Sequence, residues 1–376
     1  MTASYKETQA KSILRKGKLT DSWFISKYNM NLYRGCEHAC AYCDGRSERY
    51  YVEGDFGKEI QVKVNAPELL EKEIKKIKEK AIIFLGGGVG DAYQQAEEKY
   101  SLARKALEII KEHTFPVHIL TKSALVERDF DILKELHKKS GVILSFSFSS
   151  PDEKVTKIFE PGCASVKDRF RILKKAKKEG FHTGIMYMPV MPLITDKEEY
   201  FTEMLEKVKD IGVDFILYGG MTLRLGKQKD HFISVLNEHM PDLVETYNKA
   251  YIDDKWGAPS RELVPSAKDI FYPLLKKYKI TPRIPHYIYK DRVELNVEIA
   301  MVLFHMYFLL KLKGEERKAY EKAAWNLLYL KEDIRELVKN SALRSIGGIG
   351  DVIGRIIEEL VTERKCAYYE KLMRFE

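Results

Sequence analysis

The sequence predicts an α/β protein in which a parallel sheet is followed by a small all-α domain. From about residue 30 to 220, short apolar runs alternate with longer amphipathic stretches. This alternation is typical of βαβ units, whose strands pair in parallel. From Asn296 onward the pattern is strongly helical. Since parallel sheets carry their working groups in the loops after the strands, we expect the functional residues there.

Six apolar runs are the predicted strands, at residues 60–64, 82–85, 117–120, 142–147, 183–188 and 215–218. Residues 226–280 are mostly helical, and two prolines between residues 281 and 289 indicate a boundary nearby. We therefore divide the chain into four segments. They are an N-terminal extension (1–30), an α/β domain (31–225), a helical extension and linker (226–290), and an all-α domain (291–376).

The composition is that of an ordinary soluble protein, with 45% hydrophobic and 32% charged residues. Uninterrupted runs of 18 apolar residues are absent, and the polar first residues lack the apolar core of a secretory signal. We expect no membrane span and a cytoplasmic location, where thiols stay reduced. The net charge of +8 lies in residues 1–290, because residues 291–376 hold 15 basic and 15 acidic residues. Such a surplus suits an anionic substrate and serves solubility equally well.

Three of the five cysteines lie within eight residues, in a C-x3-C-x2-C arrangement: Cys36, Cys40 and Cys43. In a reducing compartment this grouping indicates a metal site rather than disulfides. Three thiolates on a tight loop can hold three irons of a four-iron, four-sulfur cube and leave the fourth iron open to a small molecule. A zinc site is the alternative, and it would need a fourth ligand such as His38.

Further motifs follow the predicted strands in order. A run of three glycines (86–88) lets the backbone approach a ligand closely, and Lys122 follows the next strand. Ser147 and Ser149 share one face of the strand after that. A Glu-Pro-Gly turn begins at Glu160, and a Met-Pro-Val-Met-Pro segment contains Pro189.

With the cysteine loop, these motifs resemble the spore photoproduct lyase family of radical S-adenosylmethionine (SAM) proteins, over roughly residues 30–260. The resemblance implies a partial TIM-type (βα)6 barrel and a [4Fe–4S] cluster that binds SAM at its open iron. Reductive cleavage of SAM would then yield a 5′-deoxyadenosyl radical for lyase-like chemistry. The resemblance also implies an external electron donor such as flavodoxin or ferredoxin.

The same resemblance implies roles for individual residues. Lys122 would pair with the SAM carboxylate, Ser147, Ser149 and Glu160 would reach the ribose, and Pro189 would lie in the adenine-contact loop. The glycine turn would approach the methionyl group through Gly86, Gly87 and Gly88. Tyr42, between the cluster cysteines, is assigned a catalytic role.

Two positions depart from the family. In spore photoproduct lyases a cysteine in the glycine turn returns a hydrogen atom to the product radical, and Gly88 stands at the best-matching position here. The tyrosine that follows the last cluster cysteine is Asp44 in this chain. Both changes put repair of the spore-type thymine dimer in doubt. Cys163, beside the Glu-Pro-Gly turn, is the candidate substitute donor.

Near the C-terminus, residues 343–357 read LRSIGGIGDVIGRII, which fits a helix-hairpin-helix. Gly348 and Gly350 would allow the hairpin and leave amide N–H groups free to bind a nucleic-acid phosphate. Arg344 and Arg355 would assist. The alternative is a plain helical hairpin that packs against the barrel or a partner.

Together with the preceding helical span, this segment resembles the small N-terminal domain of family X DNA polymerases, over roughly residues 294–374. The resemblance implies DNA, or another nucleic acid, as a partner. Ile356 stands where some of those polymerases carry a Schiff-base lysine. The module is therefore expected to bind nucleic acid and not to cleave it.

Three functions follow from these observations. The first is a radical SAM enzyme that acts on nucleic acid, in DNA repair of a damaged base. The second keeps the radical chemistry but applies it to RNA, a nucleotide or a protein. The third is a non-catalytic nucleic-acid-binding protein with a metal cluster. Cleavage of SAM to 5′-deoxyadenosine separates the third from the first two.

Overall fold

A seven-stranded sheet curls into a half-barrel at the centre of the computed structural model, which describes residues 3–86, 90–252 and 256–376. Six strands run parallel, and the seventh pairs antiparallel at one edge. From that edge inward the order is Leu14–Asp21, Ser26–Met30, Ile83–Leu85, Val117–Thr121, Val142–Phe148, His182–Val190 and Phe215–Gly220. The predicted partial (βα)6 barrel is confirmed.

Five of the six predicted strands belong to this sheet, and the first predicted strand does not. The run at 60–64 forms the strand Glu59–Lys63, which lies in a separate three-stranded sheet with Ser4–Thr8 and Tyr33–Arg34. The half-barrel instead begins with Ser26–Met30 (SKYNM), in which every second residue, Ser26, Tyr28 and Met30, is buried. Such alternation fits a strand with two unlike faces, and it is not an apolar run.

Helices cover the half-barrel between its strands and continue after its last strand. The α-helices are Ala66–Ile74, Ala96–Tyr100, Leu102–Glu112, Phe130–Lys139, Glu153–Phe159, Val166–Lys178, Glu198–Ile211, Lys227–His239, Val244–Ala250, Lys268–Tyr278, His286–Tyr289, Leu295–Leu312, Lys318–Tyr329, Ile334–Lys339, Asp351–Thr362 and Ala367–Met373. Short 3-10 helices are Asp44–Arg46, Glu48–Tyr50, Ala124–Asp129, Pro241–Leu243 and Leu343–Ser345.

The C-terminal helices share a hydrophobic core with the half-barrel. Side chains of the barrel region pack with buried residues of helix Leu295–Leu312 and the helices after it; these barrel side chains are Ile25, Ile82, Ile143, Met186, Phe215 and Leu217. Burial of apolar area at about 25 cal/mol per Å² makes such a shared core a major stabilising contact. The two regions are therefore expected to depend on each other for stability.

Helix Leu295–Leu312 is, among the described residues, the one helix with the length and hydropathy of a membrane span. Its mean hydropathy is 1.5, but 56% of the segment is buried inside the protein. Its neighbours Lys318–Tyr329 and Ala367–Met373 contribute to the same core. Core helices of soluble proteins have this character, because they are apolar on every side that meets protein.

The segment predicted to form the hairpin, residues 343–357, covers the turn after helix Ile334–Lys339 and the first part of helix Asp351–Thr362. Its apolar residues Leu343, Ile346 and Ile349 are buried, as Ile357 is. Gly348 has a φ of 89°, and a Cβ there would lie 3.0 Å from the Ala323 nitrogen. Glycine is therefore required at Gly348 by both conformation and packing.

Candidate active site

The cysteine loop lies at the carboxyl end of the sheet, after strand Ser26–Met30. Cys36 and Cys40 are buried and Cys43 is half-buried. All three line one cleft of about 170 Å³. The other lining residues come from the loop itself, from the segment before strand Glu59–Lys63, and from the carboxyl ends of the next strands and the loops after them: His38, Phe56, Gly90, Asp91, Leu120, Thr121, Lys122 and Ser147.

The loop is folded by its own backbone and by Arg46. The amide of Ala39 donates to the Cys36 carbonyl at 3.1 Å, and the amide of Cys43 donates to the Cys40 carbonyl at 3.2 Å. Arg46 donates from Nε to the Cys40 carbonyl at 2.9 Å and from Nη2 to the Ala39 carbonyl at 2.8 Å. These bonds hold the two turns so that the thiols reach one cleft. The sequence analysis did not identify Arg46.

Glu37, inside the cysteine loop, anchors the loop to its surroundings. It accepts hydrogen bonds from the Tyr5 hydroxyl at 2.8 Å and from the Ala96 amide at 2.6 Å. Gln94 accepts from the Glu37 amide at 2.9 Å and donates to the Gly35 carbonyl at 3.1 Å. Charge-assisted bonds of this kind are stronger than neutral ones. The loop is therefore joined to the segment that follows strand Ile83–Leu85.

Asp91 joins three loops of the site. Its carboxylate accepts from the Thr121 hydroxyl at 2.8 Å and from the Lys122 amide at 2.9 Å. The same carboxylate lies 3.4 Å from Nδ1 of His38. One side chain thus fixes the backbone after strand Val117–Thr121 against the cysteine loop. Its only sequence signal was an acidic residue after the glycine turn.

Lys122 and Ser147 meet inside the cleft, as expected for groups at neighbouring strand ends. Lys122 Nζ donates to Ser147 Oγ at 2.7 Å, and the Ser147 hydroxyl donates to the Met188 carbonyl at 2.9 Å. The ammonium lies 5.7 Å from the ring centre of Tyr42. Burial acts to lower the pKa of Lys122, but Glu160 opposes it and the pKa is raised. Lys122 is therefore a cation at neutral pH.

Glu160 is fully buried behind the cleft wall, where both of its oxygens are occupied. Arg169 Nη2 donates to one oxygen at 2.6 Å, and the Tyr42 hydroxyl donates to the other. Burial acts to raise the pKa of Glu160, but Arg169 and Lys122 outweigh it and lower the pKa to about 2. Burial, followed by Glu160, raises the pKa of Tyr42, so its phenol stays neutral.

Arg169 is the most important site residue that the sequence analysis did not identify. It lies on helix Val166–Lys178, and its side chain is 1% exposed. Besides Glu160, it donates to the Ser147 carbonyl at 2.8 Å and to the Ala164 carbonyl at 2.9 Å. Nothing in the amphipathic pattern of this helix distinguished Arg169 from its exposed basic neighbours. Its role depends on how the helix packs.

The remaining predicted SAM contacts have different surroundings. Ser149 is fully buried beside Glu160 and helps to lower the pKa of that carboxyl. Pro189 directly follows Met188, the acceptor of the Ser147 hydroxyl. A Cβ at Gly86 would lie 2.5 Å from the Leu120 carbonyl oxygen, so this glycine is required by contact with the next strand. Gly87 and Gly88 lie outside the described residues.

Cys163 lies at the cysteine loop despite its distance in sequence. Its sulfur is 3.6 Å from the Cys40 sulfur, and its amide donates to the Glu160 carbonyl at 3.1 Å. The loop after helix Glu153–Phe159 brings it there, since Ala41 donates to the Phe159 carbonyl at 2.8 Å. Cys366 is instead buried in the C-terminal core.

The three thiols share one cleft, which is compatible with a multi-iron cluster. Within the described ranges, no three His, Cys, Asp or Glu side chains converge on one metal position. Three thiols that share a cleft without converging can each bind a different iron. Burial raises the pKa of Cys36 and raises that of Cys43 to about 12, so a bound cation would be needed to hold them as thiolates.

Part of this chain matches a known protein superfamily, and relatives are similar to it over part of their length. Residues 30–205 match the radical SAM superfamily. An uncharacterized protein of Mycobacterium tuberculosis is 28% identical over 259 residues, which are 68% of this chain and 75% of that protein. Spore photoproduct lyase of Clostridium acetobutylicum is 27% identical over 192 residues, 49% of this chain and 52% of that enzyme.

A solved structure shares the fold. A variant of spore photoproduct lyase with bound AdoMet and dinucleoside spore photoproduct has a TM-score of 0.54 to this chain. The match has 18% sequence identity and covers 72% of this chain and 78% of the other. Residues 30–205, which match the radical SAM superfamily, carry the cysteine loop.

Proposed function

We propose that this protein is a radical SAM enzyme that acts on nucleic acid, in repair of a damaged DNA base. The observation that carries the proposal is the cleft in which three cysteine thiols meet Lys122 and Ser147. The radical SAM family implies a four-iron, four-sulfur cluster and SAM. When bound, this pair supplies a 5′-deoxyadenosyl radical after an electron arrives from an external donor such as flavodoxin or ferredoxin.

The polar residues of the cleft have distinct tasks in this proposal. Cys36, Cys40 and Cys43 hold three irons. Lys122, kept cationic by Glu160, pairs with the SAM carboxylate. The Ser147 hydroxyl lies beside the Lys122 ammonium, and its hydrogen bond to the Met188 carbonyl fixes its orientation. The residues are positioned before the cofactors bind, which lowers the entropy that binding must overcome.

Three residues behind the cleft wall hold the cleft residues in place: Tyr42, Glu160 and Arg169. The neutral Tyr42 phenol and the Arg169 guanidinium hold Glu160 as a carboxylate. Glu160 in turn keeps Lys122 protonated within a buried setting. We assign Tyr42 a positioning task in this network. Its ring also faces the Lys122 ammonium, a cation–π contact that restricts both side chains.

Cys163 is the candidate hydrogen-atom donor of the proposal. Its sulfur lies beside Cys40, at the edge of the cysteine loop. A donor must reach the product radical, and the glycine-turn position of the spore photoproduct lyases carries Gly88 here. Replacing Cys163 by Ala should therefore change the product without preventing SAM cleavage. Mass spectrometry of the product formed in deuterated water checks this role.

The nucleic-acid part of the proposal rests on the C-terminal hairpin and on the related fold. The solved variant of spore photoproduct lyase binds a dinucleoside photoproduct. In this chain, Gly350 precedes helix Asp351–Thr362, and Arg344 pairs with Asp351 at the start of that helix. Arg355 lies one turn further and donates to the Asp351 carbonyl at 3.3 Å. A helix start flanked by arginines suits one phosphate.

The first experiment tests the chemistry. Anaerobically reconstituted and reduced protein should cleave SAM to 5′-deoxyadenosine, and Cys40→Ala should abolish both the cluster absorbance and the cleavage. Cys366→Ala is the matched control, because this buried thiol lies in the C-terminal core. Equal cleavage by the two variants would disprove the cluster assignment, whereas failure of the unaltered protein to cleave SAM would favour a non-catalytic metal-cluster protein.

The second experiment tests the substrate. Binding of the reconstituted protein to undamaged DNA, ultraviolet-damaged DNA and RNA of the same length should favour DNA, and SAM cleavage should rise with one lesion. Preference for RNA, or stimulation by a nucleotide or a protein, would select the other radical SAM function. Point variants are preferable to removal of residues 291–376, since the C-terminal helices share a core with the barrel.

A further inference from the structure

A lysine-rich cleft lies at the opposite end of the sheet from the cysteines. It has a volume of about 730 Å³ and is lined by residues that precede three neighbouring strands, Ile83–Leu85, Val117–Thr121 and Val142–Phe148. The fourth wall comes from residues 287–292, at the start of the C-terminal helices. Clefts of this size at a junction between two parts of a protein are typical of small-molecule sites.

Five lysines line this cleft: Lys78, Lys80, Lys138, Lys139 and Lys290. Among the described residues, none of the five ammonium groups has an ion-pair partner within 4.0 Å. The first four are exposed and Lys290 is half-buried. Like charges gathered without partners repel one another, and a bound anion would relieve that repulsion.

The acidic residues of the cleft have their ion-pair partners outside it. Burial acts to raise the pKa of Asp291, but Arg364 and, to a smaller extent, Lys290 and Lys80 lower it. Glu79 pairs with Lys16 at 2.6 Å, and Asp291 pairs with Arg364 at 2.7 Å. Neither Lys16 nor Arg364 lines the described cleft, so both carboxylates are already matched by cations outside it.

The sixth cation of the cleft, Arg292, has a structural task. It donates from Nε to the Ser140 carbonyl at 2.9 Å and from Nη1 to the Ile288 carbonyl at 2.6 Å. These bonds tie the C-terminal segment to the strand starts. The lysines are thus held on a fixed frame, with the cleft open between them.

We propose that this cleft binds a ligand with several closely spaced phosphates, either a nucleoside polyphosphate or a stretch of nucleic-acid backbone. Neighbouring strands lie about 4.8 Å apart, so lysines before the first and third of the three strands, together with Lys290, span a short row of phosphates. Lysine suits this task because its ammonium acts as a point charge with three donors. The site is separate from the cysteine cleft, and its occupancy does not depend on the radical chemistry.

Binding of three probes to the full-length protein tests the proposal: ATP, inorganic tripolyphosphate and a fluorescein-labelled 20-nucleotide single-stranded DNA. The double variant Lys138→Glu/Lys139→Glu should lower the affinity for each probe that binds by about tenfold or more. The matched control is Lys276→Glu/Lys277→Glu, which changes the net charge equally on the exposed side of helix Lys268–Tyr278. The control should change affinity less than twofold, and circular dichroism confirms that both variants are folded.

The salt dependence and competition identify the source of the phosphates. For single-stranded DNA, loss of two phosphate contacts should reduce the slope of log K against log salt by about 1.4. If ATP displaces the DNA, the two ligands bind at one shared site. If only one probe binds, that probe identifies the ligand that the cleft accepts. Equal weakening in both double variants, or no binding of any probe to the unaltered protein, overturns the proposal. SAM cleavage should be unchanged in both variants, which separates this result from the fate of the proposed function.

Discussion

Charged side chains at the carboxyl end of the sheet are buried and fixed by several partners, whereas those of the C-terminal hairpin are exposed. The Arg169–Glu160 pair has side-chain exposures of 1% and 0%, and the Arg344–Asp351 pair has exposures of 76% and 68%. An uncompensated buried charge costs several kcal/mol, while an exposed pair contributes about 0–1 kcal/mol. The same residue types therefore fix geometry in one region and contribute little to stability in the other.

The largest effect is expected when the buried pair is broken. Arg169→Leu should lower the free energy of unfolding by about 3–5 kcal/mol, because Glu160 then loses its main partner inside the protein. Arg171→Leu, on the exposed side of the same helix, removes a pair with Glu127 and should cost less than about 1 kcal/mol. Urea unfolding of the two variants measures both values. Similar losses would show that burial does not distinguish the two arginines.

Acid pH provides the next largest effect. Since the pKa of Glu160 falls from its ordinary value of 4.5 to about 2 on folding, its contribution is present above pH 4.5 and is lost as pH falls towards 2. That contribution is of the order of 3 kcal/mol. Glu160→Gln should therefore show a flatter decline in stability over this window. Glu135→Gln, at an exposed carboxylate paired with Lys111, should follow the unaltered protein.

A smaller effect is expected for the cleft lysine. Lys122→Met keeps the length of the side chain but removes its charge, and should weaken SAM binding about 10- to 100-fold. Equilibrium binding of SAM to the reconstituted protein measures the change. Lys174→Met, at a surface pair with Asp210, should leave SAM affinity unaltered. Unchanged affinity in Lys122→Met would show that the SAM carboxylate binds elsewhere.

The smallest effect belongs to the hairpin. Arg344→Ala should change stability by less than about 0.5 kcal/mol, and should reduce the salt slope of DNA binding by about 1. Arg335→Ala provides the control, since Arg335 is exposed on the helix before the hairpin. A slope that both variants reduce equally would mean that charge alone, and not the hairpin, attracts DNA.

The sequence located the parts of the site that follow strands, because their position depends only on local pattern. Lys122 and Ser147 follow or end neighbouring parallel strands, so their meeting in one cleft was predictable. Arg169 and Glu37 were not predictable, because their partners are set by how a helix and a loop pack. The strand Glu59–Lys63 was found but assigned to the wrong sheet. A strand pattern indicates that the segment pairs with another strand, but it does not show with which one.

Asp91 has a consequence for how this protein can diverge. Its single carboxylate connects the glycine-turn segment to the backbone after strand Val117–Thr121 and to His38 of the cysteine loop. These three segments are linked through one side chain, so a change in any of them is expected to affect the other two. The segment after strand Phe215–Gly220 is tied to the cysteine loop by other bonds: Gln228 donates to the Tyr42 carbonyl at 2.9 Å, and Arg224 pairs with Asp44 at 3.0 Å. Substitutions in that segment that alter substrate preference are therefore also expected to affect the cysteine loop.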